Sequence, residues 1–146
     1  MLFERINKDF ISAYKAKEEV KVAVLRLLKT AIKNASVEFG REPDEAEVLD
    51  IVLKQAKQRR ESIEQYSKAG RDDLADREVA ELAILEGYLP QRLSDEELSA
   101  EIDALIAETG AEGMKDMGRV MKLLNERFKG RIDGRAASET VKAKLS

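Results

Sequence analysis

An all-α fold in two parts is what the sequence predicts, and three observations carry the prediction. Apolar residues recur at intervals of three and four along nearly the whole chain, the spacing of one helix face. Charged residues make up 38% of the sequence with both signs mixed, which suits long solvated helices. Aromatic residues amount to 5%, with no Trp, too few for the faces of a strand-rich sandwich. At 146 residues the chain is long enough to bury a core without a disulfide or a metal.

The first helix follows from Phe3, Ile6, Phe10 and Ala13, which share one face. A second helix carries Val20, Val24, Leu27, Leu28, Ala31 and Ala35 on one stripe. Gly40 and Pro43 then interrupt the pattern, and Asp44 is placed to cap a third helix from about Glu45 to Lys68. Its inward residues are Val48, Val52, Ala56, Ile63 and Tyr66, and Gly70 ends it. Asp72 or Asp73 is placed to cap a fourth helix, with Ala75, Val79, Leu82, Leu85 and Leu89 inward, and Pro90 stops it. Gln91-Arg92-Leu93 reads as a short linker, so an N-terminal four-helix region is expected over residues 1–91 and a three-helix tail over 92–146.

The tail opens on Ser94-Asp95-Glu96-Glu97, a capping box in which the Ser94 side chain accepts from the Glu97 amide and the Glu97 carboxylate bonds back to the Ser94 amide. Leu98, Ile102, Leu105 and Ile106 face inward on this helix. Gly110 and Gly113 bracket a loop, and Asp116 is placed to cap a sixth helix bearing Met117, Val120, Met121, Leu124 and Phe128. Gly130 ends it, and Asp133 is placed to cap a last short helix with Ala137, Val141 and Leu145 inward.

What the sequence lacks removes several function classes. With no Cys there is neither a thiolate nucleophile nor a thiolate metal site, and with no His the commonest general base and neutral metal ligand are gone. The acidic groups Glu42-Asp44-Glu45, Asp72-Asp73 and Asp95-Glu96-Glu97 all fall at helix starts, where carboxylates cap exposed amides and complement the macrodipole. Ser and Lys are plentiful, but no spacing nominates a nucleophilic pair. No cofactor and no metal are expected, and no membrane association, since no apolar run of about 18 residues is present. The start Met1-Leu2-Phe3-Glu4-Arg5-Ile6 reads as amphipathic helix without the apolar core of a signal peptide, and a cytosolic protein is expected.

Charge is distributed unevenly. Residues 114–146 hold nine basic and four acidic residues, a net of +5, which leaves −8 for the rest of a chain whose total is −3. At 100° per residue, Lys115, Arg119, Lys122 and Lys129 fall on one stripe, roughly opposite Met117, Val120, Met121, Leu124 and Phe128. The following Lys129-Gly130-Arg131-Ile132-Asp133-Gly134-Arg135 adds cations beside backbone that glycine lets approach closely, at a helix N-terminus. A phosphate chain would find both charges and amides there; a solvated face that keeps a small domain soluble is the other reading. A second basic face lies in the N-terminal half, where no acid occurs between Val20 and Val37 but Lys21, Arg26, Lys29 and Lys33 do. Lys54, Lys57, Arg59 and Arg60 on the next helix suit either a partner or the acids of a neighbouring helix.

The run Leu53-Lys54-Gln55 through Arg59-Arg60-Glu61-Ser62-Ile63, with Tyr66, Ala69-Gly70-Arg71 and Asp73-Leu74, resembles the stand-alone proteins of the GatB/YqeY family. So do Ile84-Leu85, Tyr88-Leu89-Pro90-Gln91, Leu93-Ser94 and Glu96-Glu97-Leu98. In the tail, Asp116-Met117-Gly118-Arg119-Val120-Met121 and Lys129-Gly130-Arg131 with Asp133-Gly134 are similar to the motif this family shares with the B subunit of tRNA-dependent amidotransferases. Past Gly134 the likeness weakens, with Ala136-Ala137 small where the family more often has larger aliphatics.

The resemblance implies a helical bundle joined to a three-helix tail domain, and a tail that touches the outer body of tRNA while other domains of the amidotransferase do the chemistry. It also brings the alternative of carbon–nitrogen ligase activity with glutamine as amido-N-donor. The kinase-like cradle of the B subunit has no counterpart in this sequence, and neither a glutaminase nor an amidase nucleophile is visible. A non-catalytic accessory protein is therefore expected, binding tRNA or another structured RNA through Lys115, Gly118, Arg119, Lys122, Lys129, Gly130, Arg131 and Arg135. An adaptor for an aminoacyl-tRNA synthetase or an amidotransferase, docking in the groove between the halves, is the competing expectation. A monomer is favoured.

Overall fold

The computed structural model describes all 146 residues as seven α-helices and one 3₁₀ turn, with no strand. They fall into two compact units, Met1–Leu89 and Pro90–Ser146. Pro90 to Leu93, read from the sequence as the end of a helix and a linker, belong with the second unit: the Leu93 amide donates to the Arg131 carbonyl at 2.8 Å, and Arg131 Nε donates to the Gln91 carbonyl at 2.8 Å.

The first unit contains α1 (Leu2–Lys15), α2 (Glu19–Phe39), α3 (Glu45–Lys68) and α4 (Asp72–Glu86). Its core gathers Leu2 and Ile6 of α1, Val24, Leu25, Leu28 and Ile32 of α2, Val48, Val52 and Ala56 of α3, and Leu85 and Tyr88. The inward face of α2 differs from the expected one: Leu25 is fully buried and Leu27 is half exposed. With Val22, Val24, Leu25, Leu27 and Leu28 crowded into two turns, the apolar stripe is broad and its centre is set by the packing of α1 and α4. On α4, Val79 points outward and Glu78 is the partly covered neighbour, because Arg59 of α3 sits between Glu78 (3.6 Å) and Glu81 (3.1 Å). Arg60 likewise reaches Glu86 at 3.4 Å, so these α3 cations serve the bundle itself.

The caps follow the sequence at some ends and not at others. Asp44 and Glu47 form a reciprocal capping box at the start of α3. Asp72 and Asp73 instead occupy the first turn of α4 behind Arg71, where neither caps the helix and Asp73 pairs with Arg71. Two helices end in Schellman motifs. At the end of α3 the Gly70 and Arg71 amides donate to the Ser67 and Tyr66 carbonyls, with Gly70 left-handed at φ 71°. At the end of α1 the Lys17 and Glu18 amides donate to the Tyr14 and Ala13 carbonyls, and the left-handed position is taken by Lys17 at φ 58°.

The second unit contains α5 (Asp95–Thr109), the 3₁₀ turn Met114–Asp116, α6 (Met117–Arg127) and α7 (Gly134–Leu145). Leu98, Ile102, Leu105, Val120, Leu124, Ala137, Val141 and Leu145 form its core. The capping box of Ser94 and Glu97 is present, and Asp133 caps α7 by accepting from the Arg135 amide at 3.2 Å. Ala137 is fully buried; a small side chain there lets α7 approach its neighbours closely.

Candidate nucleic-acid interface

The cations expected at the interface come from four different local structures. Lys115 lies in the 3₁₀ turn, Arg119 and Lys122 on α6, Lys129 to Arg131 in the connection, and Arg135 in the first turn of α7. A single helix therefore does not carry the expected stripe. Only Arg119 and Lys122, three residues apart, share a face of α6.

Asp116, expected as the cap of α6, does something else. Its carboxylate accepts from the Glu112 amide at 3.0 Å and so folds the loop after α5 back on itself. That amide bond holds its pKa below the usual carboxylate value, helped by the nearby Arg119 and Lys115 charges.

Arg119 is committed to the tail's own structure. Its guanidinium donates to the Thr109 carbonyl at 3.1 Å and lies 3.5 Å from Asp116. The last carbonyls of α5 have no helical partner, so a cation here satisfies one of them and complements the negative end of the helix dipole. Arg131 is turned the same way, toward the Gln91 carbonyl, with its guanidinium 5.9 Å from the centre of the Phe128 ring. Gly130, at φ 79°, provides the left-handed step that directs Arg131 there. Arg135 lies 3.7 Å from Glu139 on its own helix, and its amide is taken by Asp133, so this helix N-terminus is already capped.

Two further cations hold α5 against the rest of the tail. Arg127 forms a two-pronged pair with Glu108 at 2.6 and 2.9 Å, and Lys144 donates to Asp103 at 2.8 Å. The Arg127 pairing lowers the pKa of Glu108. α5 carries six acids and no base, so the whole tail unit, with ten basic and eleven acidic residues, is at −1 despite its basic last third. It is a dipolar unit, acidic on α5 and basic on the elements after it.

What remains for a polyanion is a smaller set. Lys115 and Lys122 are exposed and make neither an ion pair nor a side-chain hydrogen bond. Gly118 is exposed with open space around its α-carbon. Lys142, in the last turn of α7, is a further exposed cation. It was visible in the sequence only as one of nine charges, because nothing marks which charges find partners. No group of three or more acidic side chains is arranged to hold a metal ion, and no helix is long and apolar enough to cross a membrane.

Three relatives show what the chain is similar to. All three are named "Altered inheritance of mitochondria protein 41, mitochondrial". That of Lachancea thermotolerans is 31% identical over 144 residues, covering 97% of this chain and 73% of the relative. That of Eremothecium gossypii is 36% identical over 106 residues, 70% of this chain and 58% of the relative. That of Pyrenophora tritici-repentis is 28% identical over 145 residues, 97% of this chain and 79% of the relative. The chain thus spans between 58% and 79% of the length of these proteins.

These names overturn the cytosolic placement expected from the sequence, since the relatives are mitochondrial proteins. The physical reason is plain. The expectation rested on the lack of a signal-peptide apolar core and of an apolar span, which bear on secretion and membrane insertion and do not discriminate among aqueous compartments within the cell. The family described as Yqey-like protein matches residues 3–145, which takes in both helical units and every tail cation discussed above. The chain belongs to the YqeY-like family.

Proposed function

We propose that the tail unit binds structured RNA of the tRNA class through its phosphates, as an accessory protein without chemistry of its own. The observation that supports this reading is the pair Lys115 and Lys122, exposed beside α6 with neither an ion pair nor a side-chain hydrogen bond, whereas Arg119, Arg127 and Lys144 are each paired with a carboxylate. Cations that bind nothing in the protein are the ones free to release counterions from a polyanion. The likeness of the α6 motif to the tail of an amidotransferase B subunit supplies the RNA class. The complete absence of Cys and His from the chain fits an accessory role.

The test is a titration of unfractionated tRNA with the whole chain at about 50 and 200 mM salt. Affinity is expected to fall steeply with salt, and the slope of log K against log salt to become shallower by about one for each of Lys115→Gln and Lys122→Gln. Equal affinity at both salt concentrations, or a double variant that binds as before, would remove the reading. Glutamine- and ATP-dependent amidation by the purified chain would remove its non-catalytic part.

A further inference from the structure

The first unit carries a cleft of about 460 Å³ on the acid-free stretch of α2. Phe3 and Phe10 of α1, Ile32 of α2 and Pro43 form its apolar surface, and Arg26, Lys29 and Lys33 stand along one side. Thr30 and Ser36 of α2 also line it, and Glu42 is the one acid that does. The volume falls within the range of roughly 300–1,000 Å³ in which small-molecule sites are found.

What sets this cleft apart is that three cations without an ion pair stand together on one apolar surface. Arg41, Arg59, Arg60, Lys68, Arg71 and Arg77 each lie against a carboxylate. Arg26, Lys29 and Lys33 have none. Instead Lys29 Nζ sits 4.4 Å from the centre of the Phe10 ring and the Arg26 guanidinium 5.9 Å from it, so the ring faces carry the cations. Three like charges on two turns of one helix repel one another, and a bound anion would relieve the part of that repulsion that water and salt do not screen. An apolar surface under the same cations asks that the anion carry an apolar body.

We infer that this cleft binds a small organic anion, a carboxylate or phosphate attached to an aliphatic or aromatic body, with Arg26, Lys29 and Lys33 holding the anionic head and Phe3, Phe10 and Ile32 taking the body. The site lies wholly in the first unit and is independent of the proposed RNA contacts of the tail. No chemistry is assigned to it; it is a binding site, and its occupancy would tie this unit to the level of its ligand.

The probe is the fluorescent aromatic sulfonate 8-anilinonaphthalene-1-sulfonate, titrated into the folded full chain. Saturable binding at one site is expected, weakened at least tenfold by Lys29→Gln with Lys33→Gln. Ser36→Trp, which fills the cleft and leaves the cations in place, is expected to weaken it as well. Circular dichroism melts run on each variant separate loss of the site from loss of the fold. Dodecanoate is expected to displace the dye, while decanol and inorganic phosphate at the same concentration are not. Unchanged dye binding in either variant would overturn the inference. So would decanol competing as well as dodecanoate, phosphate doing so, or tRNA displacing the dye as well as dodecanoate, since that last result would make the face part of a polyanion surface.

Discussion

The Tyr88 phenol, just beyond the end of α4, donates a hydrogen bond to the Asp9 carboxylate of α1 at 2.5 Å, across 79 residues of sequence. Arg5, one turn before Asp9, lies 4.7 Å from the centre of the Tyr88 ring and donates to the Gly87 carbonyl at 2.8 Å. Three groups from the two ends of the unit therefore close on one another. Tyr88 belongs to the Tyr-Leu-Pro-Gln run read from the sequence as a family signature, and this contact gives that tyrosine a structural task. The ring fills the core, and the hydroxyl reaches the half-buried carboxylate that an unpaired phenol would otherwise miss.

Tyr88→Phe is expected to cost about 1–2 kcal/mol in urea unfolding, since it removes one charge-assisted bond and leaves the ring in place. Burial, with the Asp9 bond and charge adding to it, pushes the phenol's pKa well above its ordinary value of 10.0. The folded state thus holds the phenolic proton more tightly than the unfolded chain does. The stability it contributes is complete below pH 10 and is lost as pH rises beyond that. The wild type should lose stability on that alkaline limb, and Tyr88→Phe should lose less. Parallel alkaline limbs in the two proteins would contradict this account.

Lys17 and Gly70 occupy equivalent positions in two Schellman motifs, one with a side chain at φ 58° and one without at φ 71°. A non-glycine residue in the left-handed region costs about 1–2 kcal/mol, and glycine offsets part of that by its greater freedom in the unfolded chain. Lys17→Gly should therefore stabilise the first unit by about 0.5–1 kcal/mol. Gly70→Lys should destabilise it, although a side chain at Gly70 would meet no neighbour within 4 Å. The check is a pair of thermal melts. A Lys17→Gly protein that melts below the wild type would show that the lysine itself does something at the end of α1.

Glu47 completes the cap of α3 and pairs with Arg41 at 2.7 Å. The Arg41 hydrogen bond, followed by the bond from the Asp44 amide, holds its pKa at about 2 rather than the ordinary 4.5. Because the folded value is the lower one, the contribution is present above pH 4.5 and is lost as pH falls toward about 2. Amide protection at the first turn of α3, measured against intrinsic exchange at each pH, should fall across that window while the core residues of α3 hold. In Arg41→Ala the carboxylate should titrate closer to 4.5 by NMR. A titration midpoint unmoved by that substitution would place the cause in the cap alone.

The helices were legible because their signals are local. The box read at Ser94 and Glu97 formed, and Asp44, read only as a cap, forms a box with Glu47 as well. Asp116 and the pair Asp72-Asp73 share the residue type but not the outcome. Asp116 found a loop amide at Glu112, and the α4 aspartates start one residue late, after Arg71. Val79 and Leu27 were expected inside and lie outside because the neighbouring helices, not periodicity, choose among adjacent apolar residues. The candidate site was legible as a count of charges and no further. The partners of Arg119 and Arg131 are the backbone carbonyls of Thr109 and Gln91, and a carbonyl has no signature in sequence.

That division of the tail cations has its own consequence. Arg131 and Lys122 carry the same formal charge, but one holds the segment before α5 and the other faces solvent. Arg131→Ala should lower the stability of the chain by about 0.5–1.5 kcal/mol, the net worth of a hydrogen bond, because the Gln91 carbonyl loses its donor and Phe128 its covering guanidinium. Lys122→Gln should leave urea unfolding within about 0.5 kcal/mol of the wild type, as exposed substitutions without partners do. The order reverses for tRNA. Lys122→Gln should flatten the salt dependence of binding, and Arg131→Ala should leave that slope in place as long as the protein is folded. Measured together, the two variants separate the charges that build the tail from those offered to a ligand. If Arg131→Ala flattened the salt slope and Lys122→Gln did not, the contact surface would lie on the connection between α6 and α7 and not on the outer face of α6.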